Sequence, residues 1–163
     1  MLYPAQLYKE ELKHKLIGCW YKPEYDYYFL GDYREFTVPD NTDWRRDFVH
    51  LDKNGEVDGY FSYHYNEVAK SLSQFGLISF TGNGGALMLD CMRHIDKLIS
   101  EGLHRAEWWA VVGNPACKIY ERLIKRYGGS VAGYMHDCNY FNGKYYDSVM
   151  YEIIFDKEEQ YVD

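Results

Sequence analysis

The chain predicts an α+β sandwich, with helices packed on a mostly antiparallel sheet, and three observations carry that reading. Asn-Gly stands twice between strand-like runs, at Asn54-Gly55 and Asn142-Gly143, and each pair signals a tight hairpin. Two amphipathic stretches, Met88–Leu103 and Ala116–Tyr127, flank a single short apolar run. No repeat, low-complexity tract or Ser/Gly/Pro-rich linker divides the 163 residues, so the chain reads as one domain.

In order, residues 1–46 read as a helical and irregular segment. Leu7, Tyr8, Leu12, Leu16 and Ile17 recur at helical spacing after Pro4, and Gly18 is the stop. The Tyr-rich stretch that follows is broken by Pro23, Gly31 and Pro39. From Asp47 the period changes to alternation: Phe48–Asp52, then Val57–Tyr65, a polar segment Asn66–Ser73, and Gln74–Phe80 form a three-stranded meander. A glycine-rich corner, Thr81–Gly85, opens a helix whose face is Met88, Cys91, Met92, Ile95, Ile99 and Leu103, with Gly102 as its C-terminal cap. Arg105–Val112 is a strand, and Gly113-Asn114-Pro115 starts a helix that buries Ala116, Ile119, Tyr120, Leu123, Ile124 and Tyr127 and ends at Gly128-Gly129. Two strands, Ser130–Phe141 and Lys144–Phe155, close the 47–155 sheet core, and 156–163 is a frayed tail. Helices interrupt the sheet rather than alternate with strands, which excludes a doubly wound fold.

Composition narrows the function classes. Lys and Arg number 18 against 25 Asp and Glu, a formal charge of -7 with no basic stripe, so nucleic acid is not the partner. An aromatic share of 18%, including 18 Tyr, is far above disordered composition. Met1–Gln6 holds no basic segment leading into an apolar one and no run approaches a membrane span, so the reading is a cytoplasmic protein away from membranes. Cys19, Cys91, Cys117 and Cys138 never form Cys-x-x-Cys and read as reduced structural thiols. The six histidines lack zinc-protease spacing, Asp90 with His94 is only a one-turn pair on a solvated face, and no metal is expected. His136 with Cys138 shares a strand face but carries no cysteine-protease signature. Trp108 and Trp109 point to opposite faces of their strand, which implies packing on both sides of the sheet.

The glycine corner is the most informative motif, because a strand leading into a helix start presents free N–H groups and the positive end of the helix dipole. It is not a dinucleotide fingerprint, since Leu87 stands where the third glycine belongs, and the Gly-Lys-Ser/Thr of a P-loop is absent. Taken locally, a turn that needs glycines and an anion cradle are equally good readings. Tyr120 alone reads as core packing, and Asn114 alone as a helix cap.

Their order resolves the ambiguity. Ser79-Phe80-Thr81-Gly82-Asn83-Gly84, continued by Gly85-Ala86, resembles the pyrophosphate loop of the GNAT N-acetyltransferase superfamily, with Ser79 in place of the usual Gln or Arg. Asn114 to Tyr120 is similar to that family's Asn-to-Tyr helix, one residue shorter, and Tyr140–Asp147 resembles its closing hairpin. The resemblance covers about two thirds of the chain, Asp47 to Phe155, and extends to small GNAT-like proteins of phages and prophages. It implies a splayed central strand pair holding acetyl-CoA as co-substrate. Backbone groups near Ile78, Ser79 and Phe80 would take the pantetheine, amides of Thr81, Gly82, Asn83, Gly84, Gly85 and Ala86 the pyrophosphate, and Asn114 the pantetheine arm. Tyr120 would protonate the leaving thiolate. The acceptor is then a primary amine, on a small molecule or a protein lysine, with Asp26, Asp40 and Asp43 beside its groove and Glu107, Glu67 or His64 as candidate bases. Exchange of the terminal hairpin allows a homodimer. The rival reading is a GNAT-fold binding or regulatory protein without catalysis, such as a phage accessory protein.

Overall fold

The structure, a computed structural model, describes residues 1–19, 22–27, 38, 40–42, 44–82 and 84–155. One mixed sheet is built from β1 (Leu2–Pro4), β2 (Arg45–Leu51), β3 (Val57–Asn66), β4 (Ser71–Ser79), β5 (Arg105–Val111), β6 (Ser130–Phe141) and β7 (Lys144–Ile154), in the order β1-β2-β3-β4-β5-β7-β6. Every neighbouring pair is antiparallel except β4 with β5, which is parallel. The helices are α1 (Lys9–Ile17), α2 (Gly85–Ser100) and α3 (Cys117–Tyr127).

Alternation along β2 and β3 divides the core in two. Phe61, Tyr63 and Tyr65 turn toward α2, while Val49 and Tyr60 turn toward Leu12 and Leu16 of α1. Gly59 lets α2 come close, since a Cβ there would lie 2.7 Å from the Leu87 side chain. Both hairpin turns form as expected, with positive φ at Gly55, Asn142 and Gly143. No described helix is long and apolar enough to cross a membrane.

Four sequence expectations are corrected. Residues Leu2–Pro4 form a strand, not a helix approach: β1 pairs with β2 through Leu2↔His50, a tertiary contact, and Pro4 is tolerated on a sheet edge. Consequently α1 starts later, at Lys9, and Leu7 (72% exposed) and Ile17 (42% exposed) leave its buried face. Strand β4 begins three residues early, at Ser71, and absorbs the irregularity as a bulge where Gln74 takes a positive φ. Trp108 is buried but Trp109 is 45% exposed, because α1 covers the other face only over β2, β3 and β4.

Two buried polar clusters lock the β2–β3 pair. His50 sits between Asp58 on β3 (Nδ1 to Oδ1, 2.5 Å) and Asp90 on α2 (Nε2 to Oδ2, 3.2 Å). Asp47 is fully buried, chelated by the Arg45 guanidinium (2.9 and 3.1 Å) and the Tyr60 hydroxyl, while its own amide donates to Asn41 Oδ1.

On α2, His94 packs on Phe48 and Phe61 and lies 2.7 Å from the Tyr63 hydroxyl. Burial first, then nearby Lys97, lower its pKa from 6.5 to about 4. The unfolded chain therefore binds a proton there between about pH 6.5 and 4 that the folded chain refuses, so stability falls as pH drops through that window. Denaturant unfolding at pH 7 and pH 4 is expected to differ by about 2 kcal/mol more in the wild type than in His94→Gln.

Candidate active site

Strands β4 and β5 pair at only two positions, Ser71↔Arg105 and Leu72↔Ala106, and then separate. The narrow end of the wedge is filled by rings: Tyr120 stands 5.9 Å from Phe75, 5.6 Å from Trp108 and 5.7 Å from Tyr151. The wide end opens into a cleft of about 240 Å³. Leu77 and Ser79 come from β4, Gly82, Gly84 and Leu87 from the corner and the start of α2, Pro115, Ala116 and Ile119 from the start of α3, and Glu24 and Tyr25 from the segment before β2.

The corner behaves as its glycines require. Gly82 has φ +72° with open space where a Cβ would stand, and Gly84 caps α2 with no side-chain hydrogen bond. The first helical bond runs from Met88 N–H to the Gly84 carbonyl (2.8 Å), so the amides of Gly85, Ala86 and Leu87 precede the ladder and are free to face an anion. Ser79 Oγ is buried without a hydrogen-bond partner among the described residues. An orphaned hydroxyl, two side-chain-free positions and an uncapped helix start fit an extended, phosphate-bearing ligand that is gripped by backbone.

The bonding pattern sorts the β4 residues. Phe80 N–H donates to the Asp58 carbonyl at 2.9 Å, so by antiparallel alternation Ile78 also turns its backbone groups toward β3. The polar backbone of Leu77 and Ser79 therefore faces the wedge. Phe80 and Ile78 are not brought to it, and the Ile78 side chain packs in the core under α1. Gly82, Gly84 and Ser79 do come together at the cleft. Asn83 lies outside the described residues.

Asn114 is buried, and its Oδ1 accepts the Ala116 N–H (2.9 Å) in a turn that leads into α3, whose own cap position, Ala116, makes no side-chain hydrogen bond. Tyr120 is 4% exposed, one turn beyond the cleft-lining Ala116. The candidate bases stand elsewhere: Glu107 pairs with Arg105 (2.6 Å), Glu67 with Lys70 (3.2 Å), and His64 packs on Trp44. Asp40 is tied to Lys9 on α1, and Asp43 lies outside the described residues. His136 bonds Asp147 (3.0 Å) rather than Cys138, and no group of three potential metal ligands occurs among the described residues.

A strap that no sequence pattern announces crosses the wedge. Tyr25 donates its hydroxyl to the Ser79 carbonyl (2.9 Å), Asp26 accepts from Asn142 in the β6–β7 turn (2.6 Å), and Tyr27 packs edge-on against Phe141 and Tyr146. The strap brings Glu24, a carboxylate, to the cleft. Only Pro23, a fixed-φ residue inside a Tyr-rich stretch, hinted at an ordered turn there.

No family model and no curated protein matches the chain. Solved structures do. Spermidine/spermine N-acetyltransferase SpeG from Vibrio cholerae in complex with manganese ions is 26% identical at TM-score 0.58, over 71% of this chain and 68% of that one. The dodecameric structure of spermidine N-acetyltransferase from the same organism, in an intermediate state, is 23% identical at TM-score 0.59 over 72% and 68%. The complex of that enzyme with CoA and spermine is 22% identical at TM-score 0.56 over 69% and 66%. With its seven-stranded mixed sheet, its separated parallel pair and these neighbours, the chain has a GNAT-like fold.

Proposed function

We propose that this protein is an N-acyltransferase that moves an acetyl group from acetyl-CoA to a primary amine of a small cationic acceptor, with polyamines as the leading class. The observation that carries the reading is the β4–β5 pair that parts after two residue pairs and opens onto a side-chain-free helix start. Similarity to spermidine N-acetyltransferases supports it.

Each part of the site has a task. Amides at the α2 start, with Gly82 and Gly84 leaving room, hold the pyrophosphate, and the Leu77 and Ser79 backbone aligns the pantetheine as an added strand would. Ser79 Oγ gains a partner. When bound, acetyl-CoA supplies a thioester carbonyl open to attack by an amine. The Glu24 carboxylate at the cleft and the overall charge of -7 draw a cationic acceptor. Tyr120 gives its proton to the departing sulfur. In Tyr120→Phe, kcat for spermidine acetylation is expected to fall about 100-fold with KM for acetyl-CoA little changed, as loss of a general acid requires. Unchanged kcat removes Tyr120 from the chemistry.

A binding module without catalysis is the second reading, and one observation favours it: the Tyr25 phenol already occupies the Ser79 carbonyl. Acetyl transfer to spermidine by the wild type decides between the two.

A further inference from the structure

A second cavity, of about 270 Å³, lies outside the wedge, where the C-terminal half of α2 leaves the β2–β3 surface uncovered and the β3–β4 turn closes one end. Its floor is aromatic. Phe48, Tyr63 and Tyr65 present their rings there, and His94 backs them through its 2.7 Å contact with the Tyr63 hydroxyl. Its rim carries Arg46, Lys70 and Lys97 with Glu67 and Glu101.

These charges are not equivalent. Lys70 is paired with Glu67 (3.2 Å) and Lys97 with Glu101 (3.6 Å), so each lysine already faces a carboxylate. Arg46 faces none among the described residues: its one hydrogen bond there runs from Nη1 to the Arg45 carbonyl (3.2 Å), which leaves most of its donor fork unused. Arg46 sits directly across from Tyr63 in the β2–β3 register, above the ring floor. Tyr65, 9% exposed, lines the same cavity. An unmatched guanidinium fork is shaped for a carboxylate, and the Tyr65 phenol on the same cavity wall offers one more hydrogen bond. The aromatic floor suits a flat apolar body.

We propose that this cavity is a second binding site, separate from the acetyl-CoA wedge, for a small molecule that joins a carboxylate to an aromatic or similarly flat apolar group. The carboxylate lies on Arg46 with help from Tyr65, and the flat group lies on Phe48, Tyr63 and Tyr65. The site does not depend on the acyltransferase reading, because none of its residues lines the wedge.

The test is a titration of the isotope-labelled, full-length protein with phenylacetate, followed by amide chemical shifts, with phenethylamine as a probe of the same ring and opposite charge. The expected result is saturable phenylacetate binding with shifts clustered at Arg46, Tyr65, Lys70 and Leu98, weakened about tenfold or more in Arg46→Gln and more mildly in Tyr65→Phe. Phenethylamine should bind more weakly than phenylacetate, and a Gly84→Val variant should leave the phenylacetate shifts unchanged. Absence of saturable shifts, shifts that map to Ser79–Leu87, equal affinity in Arg46→Gln, or tighter binding of the amine would each overturn the proposal.

Discussion

Gly84→Val should weaken acetyl-CoA binding about 100-fold, nearly 3 kcal/mol, while the protein stays folded. The position separates binding from folding. Gly84 has φ -77°, a conformation open to any L residue, and a Cβ there would stand 3.5 Å from the Ser79 Cβ, an ordinary contact. The branched side chain would then project over the first amides of α2 and beside Ser79, where the proposed function has the pyrophosphate bind. Valine is a poorer N-cap than glycine, so a stability loss of about 1 kcal/mol accompanies the variant, well short of unfolding it. Gly82 is the poorer choice, since φ +72° strains any replacement and mixes a backbone penalty into the result. Isothermal titration of both proteins, with far-UV circular dichroism as the folding control, checks the expectation. Equal affinity in wild type and Gly84→Val would move the pyrophosphate elsewhere.

The largest effect on stability is expected at Asp47. Its carboxylate is fully buried and receives two bonds from the Arg45 guanidinium and one from the Tyr60 hydroxyl. Burial first, then the Asp47 charge, push the Tyr60 pKa up, so the phenol stays protonated and donating. Asp47→Ala leaves a buried phenol and a partly buried guanidinium without their acceptor, and unfolding free energy should fall by about 3 kcal/mol. Most of that is the penalty of stranded partners, not the worth of the pair. The double variant Asp47→Ala/Tyr60→Phe should therefore lose less than the two single losses summed, by about 1 kcal/mol. Urea titration measures all three, and strict additivity would mean that Tyr60 does not depend on the carboxylate.

What the sequence revealed and what it hid follow one physical division. Turns and helix ends are local chemistry: Asn54-Gly55 and Asn142-Gly143 bend as Asn-Gly pairs must, Gly128 ends α3 at φ +69°, and the Asn114 side chain holds the turn that leads into it, two residues before the cap position Ala116. The glycine corner was legible for the same reason. Features made by distant partners were not. Strand β1, three residues long, is too short to show a period and exists through its pairing with β2. Ser71–Ser73 reads as a polar loop until β3 pairs with it. Asp47 looks like a solvated strand residue, because its burial depends on Tyr60 arriving from β3. Ile78 and Phe80 were expected at the ligand because they adjoin the loop, yet the parity of the β3–β4 ladder turns the backbone of Leu77 and Ser79 toward the wedge instead. That parity depends on a bulge at Gln74, which no alternation pattern announces.

Titration of the wild-type protein with acetyl-CoA, read by calorimetry and by amide shifts, tests most directly whether the wedge between β4 and β5 is an acyl-CoA site. Saturable binding in the micromolar range is expected, with shifts confined to Leu77–Leu87 and the start of α3. No heat and no shift up to millimolar acetyl-CoA would contradict it.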